Sequence, residues 1–441
     1  MPPEEKLVEK LVESTEGTTP ANAAMLPGAA PVSHLMNTYR MPEQVFVRGR
    51  GCYLYDAGGR RYLDFISGIG VNALGYAHPR LLRVMRREAG RAVHVSNLYH
   101  HPFQEPLAAK LAAWSGLDRV FFCNSGSEAV EGALKLARAR ARKLGEGRYR
   151  ILALENSFHG RTFGALSITA TPAYRQPFAP LVPGADFVRF NDAADLEAKC
   201  GDDVCAIVIE AIQGEGGIRL VSEAFWQRAR ELATRHGAAL VADEIQSGMG
   251  RTGRPFAFQR FDAKPDIVTV AKPLAGGLPL GAFLASEEAA SALVPGMHGS
   301  TFGGGPLACA TALEFLATIE EENVLENVRR RGEELREGVR VLAARAGFVR
   351  EVRGEGLMLA MELEIDGAPY VDRARERGLL INCTHKRVLR FLPPFIIDER
   401  HTSEFLKKMK RVLAWKPKRG AAQETTDAAG PAAVPGEERS K

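Results

Sequence analysis

The sequence predicts an α/β protein: a large domain on a mostly parallel central sheet, followed by a smaller α+β domain. Three observations carry that reading. Short apolar runs alternate with helix-length stretches through the middle of the chain, each run is largely continuous in its apolar residues, and the rhythm changes near residue 325. Continuous apolar runs mark strands covered on both faces, the condition of a parallel sheet flanked by helices. At 441 residues the chain also exceeds what one hydrophobic core usually organises.

In chain order, RVFFCNS (119–125), ILALENS (151–157), CAIVIEA (205–211), ALVADEI (239–245) and DIVTVAK (266–272) read as strands. Stretches 126–144 and 222–236 read as helices between them, and that alternation argues for parallel pairing. After 325 come a long helical pattern (325–346), FVREVRGEGLMLAMEL (348–363), a helix near 369–378, LLINCT (379–384), VLRFLPP (388–394) and a last helix near 401–415. Residues 45–65 read as a strand meander that joins this smaller domain, with turns at Gly58–Gly59. The expected boundaries are a flexible tail over 1–31, a segment joining the small domain over 32–75, the large domain over 76–324, the small domain over 325–415 and a disordered tail over 416–441. Both tails are rich in Pro, Gly, Ala, Thr and charge, too polar to offset their chain entropy by burial.

Composition narrows the function classes. A net charge of +5, from 58 basic against 53 acidic side chains, with no basic run interleaved with aromatics, weighs against a nucleic-acid partner. The six cysteines (Cys52, Cys123, Cys200, Cys205, Cys309, Cys383) form no CxxC pair and no His/Cys cluster. They read as small buried hydrophobes in a reducing compartment, and no metal site is expected. The acidic start MPPEEKLVEK lacks the apolar stretch of a signal peptide, and no apolar run approaches membrane-spanning length. The expectation is a cytoplasmic protein with no membrane partner.

Ligands of a parallel sheet gather at the carboxyl ends of its strands. There the sequence places Asn124 and Ser125-Gly126-Ser127-Glu128, then Asp243-Glu244-Ile245-Gln246, then Lys272. Each has an ordinary explanation: an S-x-x-E capping box, a turn aspartate, a lysine at a strand exit. Together they meet a specific need. A lysine with its free pKa of about 10.4 is a poor nucleophile at neutral pH, but it becomes useful by forming a Schiff base with pyridoxal phosphate, whose ring is an electron sink. An aspartate keeps that ring's nitrogen protonated, and a helix start with hydroxyls seats a phosphate.

With these residues goes a set of blocks: YLDFISGIGVNALGYAHP (62–79), FFCNSGSEAVEGALKLAR (121–138), ENSFHGRTFGALS (155–167), IEAIQGEGGI (209–218), ADEIQSGMGRTG (242–253), AKPLAGGLPLG (271–281), HGSTFGGGPLACA (298–310) and VLRFLPP (388–394). In them the chain resembles the class III pyridoxal-phosphate aminotransferases, and more closely their acetylornithine/ornithine branch, over about residues 36–415. The resemblance implies fold type I of the pyridoxal-phosphate transferases. It implies that Lys272 forms the Schiff base and shuttles a proton between substrate and cofactor, that Asp243 pairs with the ring nitrogen and that Gln246 contacts the ring 3-oxygen. Gly126 and Ser127 would hold the phosphate, Phe158 would pack over the ring, and Thr301 would reach the neighbouring subunit's cofactor, making a homodimer with shared active sites. Pro273, Gly305 and Ala211 depart from the commoner family pattern, and none of them removes a named catalytic group.

For the substrate, the resemblance singles out Arg161, Arg390, Glu215 and Ser300. Arginine suits carboxylates because its fork matches them and its charge is permanent. Arg390 lies in an apolar strand-like run, where an unpaired charge is costly. In relatives that carry QGEGG, the glutamate (here Glu215) pairs with the strand arginine while an ω-amino donor binds, and Arg161 takes the far carboxylate. With glutamate or 2-oxoglutarate, Glu215 swings away and Arg390 takes the α-carboxylate. The reaction implied is transfer of the terminal amino group of N-acetylornithine to 2-oxoglutarate in arginine biosynthesis. Ornithine, succinylornithine, 4-aminobutyrate and carrier-linked lysine precursors are the alternative donors, and an aminomutase is the non-transaminase alternative. A regulator fused to a DNA-binding module is disfavoured because residues 1–31 are too short and polar to supply one.

Overall fold

The computed structural model describes residues 34–39, 42 and 44–415; the tails expected over 1–31 and 416–441 lie outside the described residues. Strands β1 (Phe46–Arg50), β2 (Tyr53–Asp56) and β3 (Arg61–Asp64) form the antiparallel meander. Strands β4 (Arg119–Cys123), β5 (Arg150–Leu154), β6 (Ala185–Val188) and β7 (Val204–Ile209) precede a short hairpin, β8 (Ile212–Gln213) and β9 (Arg219–Leu220). Then come β10 (Ala239–Asp243), β11 (Ile267–Val270) and β12 (Gly281–Ala285).

The central sheet has the order β4-β12-β11-β10-β7-β5-β6. Every pairing in it is parallel except the two made by β12, which is antiparallel to β4 and β11. The five predicted strands are present, each ending two or three residues before the end of its predicted run. Two strands, β6 and β12, carry no comparable apolar signal. β12 (GAFLA) follows directly on the glycine- and proline-rich bend, so the chain does not leave the sheet there but re-enters it in the opposite sense.

The continuous apolar pattern has the expected cause. Along β10, Ala239 and Val241 enter one apolar cluster while Leu240 and Ala242 enter another, on the opposite face. Helices α1 (Pro79–Ala89), α2 (Gln104–Ser115) and α3 (Gly126–Leu144) precede α4 (Glu223–His236). α3 covers one face through Val130, Ala133, Leu134, Ala137 and Ala141. α4 contributes Phe225, Trp226, Ala229 and Leu232 to the other cluster. Each large apolar side chain taken from water in this way contributes about 1.5–3 kcal/mol. Local signals set the ends of α4: Ser222 caps its start by accepting from the Phe225 amide, and Gly237 ends it in the left-handed conformation at φ 69°.

Beyond the sheet, α5 (Pro306–Glu321) and α6 (Val324–Ala346) lead into β13 (Val349–Glu355), β14 (Met358–Leu363), β15 (Leu379–Leu380), β16 (Asn382–Thr384), β17 (Val388–Phe391) and a last helix, α7 (Glu399–Leu413). A four-stranded sheet runs β13-β14-β17-β16, while β15 leaves it to pair in parallel with β3 of the meander. The single predicted run LLINCT is therefore two strands in two sheets. No helix among the described residues is long and apolar enough to cross a membrane.

The two sheets are joined by close backbone approach. Gly356, at φ 55° in the turn between β13 and β14, lies so near the chain after β10 that a Cβ there would stand 2.6 Å from the Thr252 carbonyl carbon. On its other side α6 comes in at Gly332, where a Cβ would stand 2.3 Å from the Gly356 oxygen. Buried Arg251 tightens the same junction by donating to the carbonyls of Leu357 and Pro393, the latter two residues beyond β17. Gly332→Ala should therefore destabilise the fold by about 1–3 kcal/mol, because the obstruction is backbone and cannot rotate away. A lowered thermal midpoint against an exposed-helix control such as Arg340→Ala checks it.

Candidate active site

The carboxyl ends of β4, β5, β7, β10 and β11 surround a cavity of about 370 Å³. Its wall includes Ser125, Gly126 and Ser127 after β4, Phe158 and His159 after β5, Glu210 after β7, Asp243 and Gln246 at and after β10, and Lys272 after β11. The cavity lies within the size range of small-molecule sites.

Lys272 departs from one expectation. The following proline should press it toward extended backbone, yet it sits at φ 36° and opens a 3₁₀ turn, Lys272–Ala275. Tertiary packing overrides the local preference: Pro273, Leu274 and Ala275 are buried, and Gly276 closes the turn at φ 59°. A non-glycine residue held there costs on the order of 1–3 kcal/mol and marks a position that the surroundings over-determine. The lysine lines the cavity, and its amine has no hydrogen bond or ion pair among the described residues. Burial pushes its pKa below the ordinary lysine value; Asp243 and Glu215 oppose this, and Arg390 assists it.

Asp243 closes β10 and is buried. Its Oδ1 accepts from the Thr269 hydroxyl (3.2 Å), its register neighbour on β11, and from the Ile245 amide (3.1 Å). Its Oδ2 accepts from His159 Nδ1 at 2.6 Å. Burial works against charging His159, but the hydrogen bond and charge of Asp243, with the charge of Glu210, raise its pKa above the ordinary histidine value. The other ring nitrogen, Nε2, is buried without a hydrogen-bond partner among the described residues. His159 and Thr269 were not singled out as site residues from sequence, and the strand register was the only signal for Thr269.

At the start of α3, Ser125 Oγ accepts from the Glu128 amide (3.2 Å), half of the expected capping box. The Glu128 carboxylate reaches one residue further back, to the Asn124 amide at 2.5 Å, instead of to Ser125. Ser127 Oγ accepts from the Arg161 amide (3.2 Å), tying the helix start to the segment after β5. Gly126 is required by space: a Cβ there would stand 2.9 Å from the Ile245 side chain.

Arg390, on β17, is 1% exposed. Its Nη1 donates to Glu215 Oε1 (2.6 Å), to Gln246 Oε1 (3.0 Å) and to the Gly214 carbonyl (3.2 Å). Its Nε donates to Asn382 Oδ1 (3.2 Å), its partner across β16. The structure thus brings Glu215 and Arg390 together, closed, at the cavity edge. Glu215 stays 36% exposed in its side chain. Burial raises its pKa, but the charge and hydrogen bond of Arg390 outweigh that and leave it below the usual carboxylate range.

Four named residues lie outside the cavity wall: Arg390, which meets it through Glu215 and Gln246, and Arg161, Ser300 and Thr301. Arg161 is exposed, its guanidinium 3.6 Å over the Tyr174 ring and 5.5 Å from that of Phe158. Thr301 is exposed beside a second cleft that also holds Ser300 and Asn97. Ser300 Oγ accepts from Asn124 Nδ2 at 3.2 Å, which links that cleft to the end of β4.

Comparison with known proteins gives the family. Residues 36–413 match the profile of the aminotransferase class-III family. The chain is 45% identical over 384 residues to the acetylornithine aminotransferase of Aquifex aeolicus, covering 87% of this chain and 100% of that one. Among solved structures, the N-acetylornithine aminotransferase of Stenotrophomonas maltophilia K279a superposes with a TM-score of 0.74 at 36% identity, covering 84% of this chain and 96% of that one. The ornithine aminotransferase of Toxoplasma gondii, with PLP at partial occupancy in its active site, superposes with a TM-score of 0.82 at 32% identity, covering 86% and 92%.

The Glu215–Arg390 pair has a pH signature. The folded pKa of Glu215 lies below its unfolded value of about 4.3, so the stability of the pair is fully present above that pH and is lost as acid titrates the folded carboxylate. Glu215→Gln should melt below the wild type at neutral pH, and the gap should hold down to about pH 4 and shrink on further acidification. Thermal melts of both proteins over that range check it.

Proposed function

The chain belongs to the class-III aminotransferase family, and from that premise we propose that it transfers the terminal amino group of N-acetylornithine to 2-oxoglutarate. The products are N-acetylglutamate 5-semialdehyde and glutamate, a step of arginine biosynthesis. The observation that carries the reading is the closed Glu215–Arg390 pair at the mouth of a cavity that also holds Lys272.

The cofactor is pyridoxal phosphate, and the cavity suits it on three counts. It offers a lysine amine without a partner, a buried carboxylate backed by a histidine, and a helix start with Gly126 and Ser127 on the wall. Bound there, the cofactor supplies an electron sink that makes the hydrogen on the amine-bearing carbon acidic. Asp243, held by His159 and Thr269, would face the ring nitrogen. Gly126 and Ser127 would hold the phosphate, Phe158 the ring face and Gln246 the 3-oxygen. With its pKa lowered by burial, Lys272 has a larger neutral fraction near pH 7 than an exposed lysine and can take up and return that proton at Nζ.

The arginines divide the carboxylates. While Glu215 neutralises Arg390, an ω-amino donor meets no free cation at its reacting end, and Arg161 is the cation left for its far carboxylate. Breaking the pair exposes Arg390 to the α-carboxylate of glutamate or 2-oxoglutarate. Thr301 and Ser300 lie outside their own cavity, in keeping with a homodimer in which the neighbouring chain's Thr301 completes each site. The division into domains at about residues 76, 325 and 415, and a cytoplasmic location, belong to the same proposal. The donor side also admits ornithine, succinylornithine, 4-aminobutyrate or a carrier-linked lysine precursor.

A donor panel with 2-oxoglutarate tests the reading: acetylornithine should give the highest kcat/KM, and a tenfold preference for any other amine would reassign the substrate. Lys272→Ala should lower kcat by several orders of magnitude while the apoprotein keeps its melting temperature. Glu215→Ala should raise turnover of glutamate relative to acetylornithine, and an unchanged ratio would refute the switch.

A further inference from the structure

One buried carboxylate of the cavity has no part in that scheme. Glu210 follows β7, is 6% exposed and forms no ion pair among the described residues. It is held by backbone alone: Oε2 accepts from the Phe158 amide (3.2 Å) and Oε1 from the Gly214 amide (3.1 Å). Those amides belong to different segments. Phe158 is the aromatic of the cavity wall, whereas Gly214 precedes Glu215, and its carbonyl accepts from Arg390. Gly214 is also pressed against Gln246, where a Cβ would stand 2.4 Å from Oε1.

We propose that Glu210 is a positioning residue: a carboxylate staple that fixes the aromatic wall and the gating loop to one point, so that neither moves without the other. The chemistry of the two oxygens makes the inference specific. Each faces an N–H, so both must accept; an ionised carboxylate accepts fully at both oxygens, whereas in a neutral acid one oxygen becomes a hydroxyl, a weaker acceptor that carries a donor. A neutral acid or an amide turns a donor toward one of the two amides and releases it, leaving a buried N–H unsatisfied. Burial and the charge of Asp243 favour the neutral form, whereas His159 and the two amides favour the charged one; the net effect is a pKa above the ordinary glutamate value. The ionisable groups facing the staple are His159 after β5, Asp243 on β10 and Lys272 after β11, with Glu215 on the loop that it holds.

Glu210→Gln keeps size and shape, turns one acceptor into a donor and removes the charge that acts on His159 and Lys272. Hydrogen exchange followed by mass spectrometry on the cofactor-free protein reads the staple directly. In the variant, exchange should rise about tenfold or more in the peptide around Phe158 or in that around Gly214, with the α4 peptide unchanged. In the wild type, after correction for intrinsic exchange, protection of the same peptides should fall on acidification while Glu210→Gln shows no such step. Unchanged exchange at both peptides in the variant, or the same acid step in both proteins, overturns the proposal. The variant should also lower the ratio of acetylornithine to glutamate turnover in single half-reactions by about threefold or more, an arm that rests on the proposed donors. If exchange responds and neither donor is turned over, the staple stands and the substrate assignment fails; if both donors react and exchange is unmoved, the staple fails alone.

Discussion

Water cannot do the screening at this site, and the arrangement of its side chains follows from that constraint. Three carboxylates (Glu210, Glu215, Asp243), a lysine, an arginine and a histidine share one cavity edge, and each shifts the charge state of others. Isolated burial of any one would cost more than the fold can spare. Set together, they leave each anion with at least one donor or cation: Arg390 for Glu215, His159 for Asp243, two backbone amides for Glu210. Lys272 is the member without a hydrogen bond or ion pair among the described residues, and burial lowers its pKa. The same cavity that would bind a charged ligand is thus nearly balanced in charge before that ligand arrives.

The parts legible in the sequence are those where one residue's neighbours in the chain are also its neighbours in space. Strands β4, β5, β7, β10 and β11 showed themselves because apolar residues dominate each run, with Thr269 the polar residue inside β11. Asp243 and Lys272 stood out because they end such runs. Helix α3 was readable over its full length, 126–144, with the serine before it marking its start. β12 was not: five residues of GAFLA after a glycine-rich bend look like the tail of a loop, and only pairing on both sides with β4 and β11 makes them a strand. LLINCT hid a change of sheet at Ile381 because an apolar run carries no mark of which partner it pairs with.

Site residues defined by distant partners were the hardest to see. His159 meets Asp243 across 84 positions of sequence, and Asn382 meets Arg390 only because β16 and β17 pair in one register. Glu210 is an acid after a strand, unremarkable until two amides from separate segments converge on it. Lys272 was found by type and place but not in its conformation. Propensity at Lys272–Pro273 pointed to extended backbone, and the packed turn beneath it imposed φ 36° instead. That is the usual site of such conflicts, since local preference yields most readily where the surroundings have a function to hold.

The reversed strand β12 has a metric consequence. Neighbouring strands lie about 4.8 Å apart, and β12 stands between β4, which ends at the start of α3, and β11, which ends at Lys272. At the working edge β12 presents its first residue, Gly281, where even a methyl group would stand 2.4 Å from the Ser125 oxygen. The sheet therefore acts as a ruler, holding the helix start and the lysine two strand widths apart, about 10 Å, while Leu278, Pro279 and Leu280 of the bend before β12 line the cavity. A parallel strand in that slot would have brought a carboxyl end and its side chains into the gap. The topology sets the span that a flat ligand must bridge, and it does so with backbone, which substitutions on the cavity wall cannot readily alter.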